Sequence, residues 1–209
     1  MKVKTLLCLG DSITYGYGVR RRAAWPSLVA ARKGICVVNA GIPGDTTGGM
    51  LARLDRELKA HTPDAVLLLG GVNDILLEGT DQHARSNMFA MLQHVLADRR
   101  SPLIGICTEV SETVEAPWLN LVSFECLSSC ALAYAEWLGQ LGKTFNIPVV
   151  DFRSDFHAAM LEAPHADWYV DGIHPSEQGH QVMAATLERA LEKMEEDCVA
   201  RVVPSFGTD

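Results

Sequence analysis

No uninterrupted apolar run in the 209-residue chain approaches the ~20 residues of a membrane-spanning helix. Stable membrane insertion is therefore not expected. Basic side chains are also in short supply: 18 Lys and Arg stand against 26 Asp and Glu, a formal net charge of −8. A chain of that sign repels phosphate backbones and anionic lipid, so nucleic acid and acidic membranes are poor candidates as partners. The opening "MKVKTLLCLGDSITYG" lacks the long apolar region and small-residue cleavage site of a secretory signal. Its short apolar stretch runs directly into a candidate site, so a cytoplasmic protein is expected. Internal repeats, low-complexity tracts and linkers are missing too. Residues 1–197 read as one domain and 198–209 as a tail.

The six cysteines include no two pairs at metal-ligand spacing. In a chain without a signal peptide they read as reduced thiols. Cys8, Cys36 and Cys107 lie in or beside apolar runs and read as small core residues, while Cys126 and Cys130 stand four apart on a predicted helix.

Five short apolar runs are present: Thr5 to Gly10, Ile35 to Ala40, Ala65 to Gly70, Pro102 to Cys107 and Ile147 to Phe152. They are continuous rather than alternating, the pattern of strands buried on both faces of a parallel sheet. Helical stripes separate them: Met50, Leu51, Leu54 and Leu58; Met88, Met91, Leu92, Val95 and Leu96; Val182, Met183, Leu187, Leu191 and Met194. "WPSLVAARK" and the long apolar "CLSSCALAYAEWLGQLGK" supply further helices. Strand and helix in alternation predict a three-layer α/β/α sandwich around a parallel sheet.

Ligands bind such sheets beyond the carboxyl ends of the strands. The first strand ends at Gly10-Asp11-Ser12, the second at "NAGIPGDTTGG" and the third at "GGVND". With strand order 2-1-3 these loops lie side by side and offer a hydroxyl, a glycine-rich backbone and the Asn73 amide. Acyl transfer by serine needs that set: a base to take the hydroxyl proton, and N–H donors for the oxyanion. Of seven histidines, His174 alone sits in a tight acid–histidine turn, "VDGIHPSEQGH", with Asp171 three residues before it. That spacing lets the carboxylate fold back onto one imidazole nitrogen and turns the other outward.

Other readings of the same residues are available. Ser12 is also a good helix N-cap, Gly44 a turn glycine, and Asn73 a cap for a following helix. Asp11 reads as a turn residue, too close to the serine to act as its base. "GIPGDTTGG" lacks the lysine of a phosphate loop. His61, His83, His94 and His180 read as solvated or partly buried helix residues. Arg20, Arg21 and Arg22 read as a solvated turn or as a contact for an anionic group. His157, His165, Asp167, Asp171 and His174 could hold a metal, but their spacing matches no metal signature and would leave Ser12, Gly44 and Asn73 unexplained.

In order, "GDSI", "GIPGDTT", "GVND" and "DGIH" resemble four sequence blocks of the SGNH hydrolases, the GDSL lipase/esterase family. They span Gly10 to His174. Within that family the chain is most similar to the branch of thioesterases, lysophospholipases and bacterial arylesterases. It departs in Ile13, where leucine is usual, in Val72 before Asn73, and in lacking the signal peptide of periplasmic members. The resemblance implies a flavodoxin-like five-stranded sheet of order 2-1-3-4-5 and a cofactor-free, metal-free ester hydrolase. It makes Ser12 the nucleophile, with His174 and Asp171 completing the triad. It assigns the oxyanion hole to Ser12, Gly44 and Asn73. The expected substrate is a small to medium acyl ester or thioester. A carbohydrate O-acetyl ester and a non-catalytic binding relative of the fold are the alternatives. Leu76, Leu77, Trp118 and Trp168, together with the wall or lid of Thr108 to Phe124, are the expected substrate-binding elements.

Overall fold

The computed structural model describes residues 2–202. Five parallel strands form its one sheet among those residues, in the order β2-β1-β3-β4-β5: β1 Thr5–Gly10, β2 Cys36–Gly41, β3 Ala65–Leu69, β4 Ser101–Ile106 and β5 Val149–Asp151. The helices are α1 Ser12–Tyr15, α2 Trp25–Lys33, α3 Thr47–His61, α4 Val72–Glu78, α5 Gln82–Ala97, α6 Ala116–Leu119, α7 Phe124–Phe145, α8 Phe152–Glu162 and α9 Glu177–Val202. This is the sandwich and strand order expected.

Side chains of β1 alternate between the two faces, as pleating requires. Leu7 and Leu9 join Val66, Leu68 and Ile104 under α3, α5 and α7, while Leu6 and Cys8 join Leu67, Leu69 and Leu103 under α2, α8 and α9. Residues Leu6 to Leu9 are wholly buried. Each such leucine contributes roughly 1.5–3 kcal/mol relative to exposure. Two cores therefore pack against β1, one on each face, and fix where its carboxyl end stands.

The edges behave differently. β2 is only half-buried and Cys36 is exposed, because an edge strand has a neighbour on one side only. Leu96 departs from the α5 stripe and is 41% exposed. β5 is shorter than its apolar run. Asp151 caps α8 by accepting from the Ser154 N–H at 3.0 Å, so the chain turns helical at Phe152. The sequence carries no stripe that marks α8, whose eleven residues are too few for one to stand out, and it shows α4 only as a helix that Asn73 could cap. The last helix continues to Val202 rather than giving way at residue 198. Residues 203–209, the rest of the expected tail, lie outside the described residues.

Candidate active site

The turn after β1 is built by close packing. A Cβ at Gly10 would lie 2.5 Å from the Leu69 carbonyl oxygen, and one at Gly41 would lie 2.2 Å from the Tyr15 nitrogen. Only glycine lets β1, β2 and β3 approach the turn so closely. Asp11 then caps α1, its Oδ1 accepting from the Ile13 N–H at 2.9 Å. Ser12 is the first residue of that helix, at the rim of the sheet and 7% exposed.

The neighbouring loops are stitched to this turn. Arg53 donates to the Gly10 carbonyl at 2.9 Å and pairs with Asp45 at 2.8 Å. Gly44, beside Asp45, has φ +78° and open space where a Cβ would stand. The Asn73 amide donates to the Asp45 carbonyl at 2.9 Å, which uses one of its two N–H bonds and leaves the other free. Asp74 does not cap its own helix. It accepts from the backbone N–H and the hydroxyl of Thr47, at 2.9 and 2.6 Å, and so anchors the start of α3.

Asp171 and His174 arrive from the far end of the chain. Asp171 Oδ1 accepts from the N–H groups of Ile173 and His174 at 3.1 and 2.9 Å, and Oδ2 meets His174 Nδ1 at 2.7 Å. His174 Nε2 lies 2.8 Å from Ser12 Oγ. The Thr108 to Phe124 segment braces this turn, with the Ser111 and Glu115 N–H groups donating to the carbonyls of Gly172 and Asp171 at 2.8 and 3.1 Å. Gly172, at φ +86°, admits that approach: a Cβ there would stand 2.3 Å from Val114 Cα.

Burial acts to raise the Asp171 pKa, but the backbone N–H and imidazole of His174 and the Ile173 N–H outweigh it and hold the carboxyl below its ordinary value. Asp11 is pushed the other way, up to about 7, first by burial and then by the charges of Asp45 and Asp74, against the pull of the Ile13 N–H.

Ser12, Gly44, Asn73 and His174 converge on a cavity of about 120 Å³ whose apolar walls are Tyr17, Pro43, Val72, Leu76, Trp118 and Ile173. Asp171 stands behind the imidazole. Two of the expected substrate-binding residues belong elsewhere. Leu77 is 63% exposed, because one step along α4 rotates it away from the cavity that Leu76 lines. Trp168 is 7% exposed and packs on Phe156 at 5.6 Å, with its indole N–H on the Ala163 carbonyl, so it is a core residue between α8 and α9.

His180 is also placed differently: wholly buried, it accepts from the Trp25 N–H at 3.3 Å, while the Trp25 indole donates to the Ile13 carbonyl at 3.1 Å. Burial lowers its pKa to about 4, with a further push from His174. The ring is thus neutral and buttresses α1. His157 pairs with Glu109 at 2.9 Å, and no group of three His, Cys, Asp or Glu among the described residues is placed to hold a metal. Arg20 is exposed and pairs with Glu177 through two bonds of 2.8 and 3.0 Å, a surface tie between α9 and the turn before α2. Tyr17 was missed; the glycines that flank it, Gly16 and Gly18, were its only signal in the sequence.

The same three-layer α/β/α fold occurs among solved structures. A carbohydrate acetylesterase family member from Sinorhizobium meliloti superposes with a TM-score of 0.75 at 21% identity, covering 93% of this chain and 99% of that one. Residues 8–182 match the GDSL-like Lipase/Acylhydrolase family. The chain belongs to that family. It is 31% identical to thioesterase 1/protease 1/lysophospholipase L1 of Escherichia coli over 197 residues, 91% of this chain and 84% of the relative. An arylesterase of Vibrio mimicus is 41% identical over 92 residues, 42% of this chain and 46% of that protein.

Proposed function

We propose that this chain hydrolyses small to medium acyl esters or thioesters through an acyl-enzyme on Ser12. The observation that carries the reading is the continuous relay from Ser12 Oγ to His174 Nε2 and from His174 Nδ1 to Asp171, opening on an apolar cavity. Ser12 Oγ attacks the acyl carbon while its proton passes to His174 Nε2. Asp171 fixes the imidazole tautomer and stabilises the imidazolium. The backbone N–H groups of Ser12 and Gly44 and the free N–H of Asn73 receive the oxyanion. His174 then protonates the departing alcohol or thiol, and water repeats the sequence in reverse to release the acid. No step requires a metal or an organic cofactor.

The cavity of about 120 Å³ is slightly smaller than the 150 Å³ void that accepts benzene in other proteins. It suits a short acyl chain. The same size favours a second reading, an acetyl group carried on a carbohydrate. We place the activity in the cytoplasm, in keeping with five free cysteines among the described residues and with none of the described helices being long and apolar enough to cross a membrane.

The test is hydrolysis of p-nitrophenyl esters from acetate to a long acyl chain by wild type and Ser12→Ala. Turnover that falls about 10³-fold or more in the variant is expected, with the best wild-type rates at short chains. Equal rates in both proteins would remove Ser12 from the chemistry. If both are inert on these esters but sugar acetates are cleaved by wild type alone, the second reading stands.

A further inference from the structure

Asn73, the proposed oxyanion donor, is the second residue of α4, and Gly70-Gly71 joins β3 to that helix. Two side chains from other helices close on this joint. A Cβ at Gly70 would stand 2.5 Å from Met50 Sδ of α3, and one at Gly71 would stand 2.9 Å from Tyr134 Cζ of α7 and closer still to Cε1. The sulfur and the ring fill the space that side chains at 70 and 71 would need. Gly71 also takes φ +124°, which glycine adopts without strain. Its carbonyl accepts from the Ile75 N–H at 3.2 Å and so opens α4. The start of that helix is seated on the Tyr134 ring.

Packing sets the ring. Tyr134 is 5% exposed and stacks on Trp137, with centroids 6.0 Å apart and planes 13° apart. It shares one core with Val72, Ile75 and Leu138. Its buried hydroxyl bonds no group among the described residues. Beside it is a cavity of about 20 Å³, also lined by Thr108 and Arg153, with room for one water. No protein group therefore steers the ring through its oxygen, and the joint meets the flat face of the ring itself.

The Asp45 carbonyl holds the end of the Asn73 amide at 2.9 Å, but that bond does not fix where the α4 backbone stands. Asp74 ties the helix to Thr47 of α3. The ring sets how closely Gly71 approaches α7. We infer that Tyr134 is a positioning residue for the oxyanion hole: its ring stops the Gly71 backbone at the depth that aims the free N–H of Asn73 at the oxyanion. Such a donor works at about 2.7–3.1 Å, and a misplacement of about 1 Å costs on the order of 10²-fold in rate. Without the ring the joint sinks toward α7 and takes Asn73 with it. Tyr134 is not among the residues lining the Ser12 cavity, so it acts through Asn73 and not on the substrate. This role rests on the acyl-enzyme reading and adds to it a residue that sets the donor's place.

The test is a double-variant comparison on one short-chain ester. kcat and KM are measured for wild type, Tyr134→Leu, Tyr134→Phe, Asn73→Ala and Asn73→Ala combined with Tyr134→Leu, and melting temperatures confirm folding. Tyr134→Leu is expected to lower kcat about ten- to hundredfold with little change in KM, because the donor acts on charge that develops in the transition state. Tyr134→Phe keeps the ring and should keep kcat. In the Asn73→Ala background the donor is already gone, so Tyr134→Leu should lower kcat less than about twofold further. A loss as large there as in wild type would mean that the tyrosine only supports the fold, and the positioning role would be wrong. An unchanged kcat in Tyr134→Leu, or a Tyr134→Phe as slow as Tyr134→Leu, would overturn it too. If Tyr134→Leu does not fold, Tyr134→Met replaces it in the same comparison. Asn73→Ala separates the two readings. If it turns over like wild type, the oxyanion assignment fails and the role of Tyr134 with it. If it is slow but its loss and that of Tyr134→Leu simply multiply, the positioning role alone fails.

Discussion

Asp171 holds His174 twice, once at the backbone N–H through Oδ1 at 2.9 Å and once at Nδ1 through Oδ2 at 2.7 Å. The first bond sets the turn and the second sets the ring. Asp171→Asn keeps an oxygen for the backbone but offers an N–H to Nδ1, which reverses the tautomer and takes the acceptor away from Ser12. Turnover of a short-chain ester is expected to fall about 10³- to 10⁴-fold with the fold retained. The carboxyl's pKa is lowered in the folded state, so its stabilisation is present above the ordinary carboxylate value. It is lost as pH falls through the lowered one. Near-normal kcat in the variant would remove Asp171 from the relay.

Asn73 is oriented by the carbonyl of Asp45, which takes one amide hydrogen at 2.9 Å. In the proposed mechanism the second donates to the oxyanion. Asn73→Ala is expected to lower kcat about 10²- to 10³-fold, with a smaller effect on KM, because the donor acts on charge that develops only in the transition state. Steady-state kinetics on one ester decide it, and an unchanged kcat takes Asn73 out of the oxyanion hole.

Asp11 and His180 pull the stability in opposite directions as pH changes. Asp11 has a folded pKa of about 7 against an ordinary 3.8. Between those values the folded chain keeps a proton that the unfolded chain has released, so raising pH through that window costs stability. His180 has a folded pKa of about 4 against 6.5. There the unfolded chain holds the extra proton, and raising pH adds stability. Asp11→Asn keeps the acceptor for Ile13 and removes the first effect. The variant is expected to grow more stable from pH 4 to 6.5, and its advantage over wild type should widen to on the order of 4 kcal/mol near pH 7. Urea midpoints across this range test it; a variant less stable than wild type at neutral pH contradicts the burial argument.

Much of this molecule could be read from the chain because its determinants are local. Leu6 to Leu9 ends at Gly10-Asp11-Ser12, and a strand buried on both faces followed by a capped turn needs no distant information. The Asp171–His174 turn closes over three residues, so its hydrogen bonds follow from spacing. The stripes of α3 and α9 bury most of the residues that periodicity assigned, Met50, Leu54 and Leu58 in one and Met183, Leu187 and Leu191 in the other, while Leu51, Val182 and Met194 at their margins are partly buried. Short helices were less legible. α4 and α8 are only seven and eleven residues long, and one step of rotation on α4 separates Leu76, which lines the cavity, from Leu77, which faces water.

The five strands and the longer helices between them, the place of the serine at a strand end and the acid–histidine pair were legible along the chain, each set by hydrogen bonds or periodicities that span a few residues. Tertiary structure alone decided that Ser12 and His174, 162 residues apart, meet at 2.8 Å. It also decided that Trp168 turns into the core, that His180 is sealed behind Trp25, and that Tyr17 stands against the imidazole. Those outcomes depend on which surfaces pack across the sheet. An aromatic or histidine side chain suits a core, a wall or a site equally well until its neighbours are fixed.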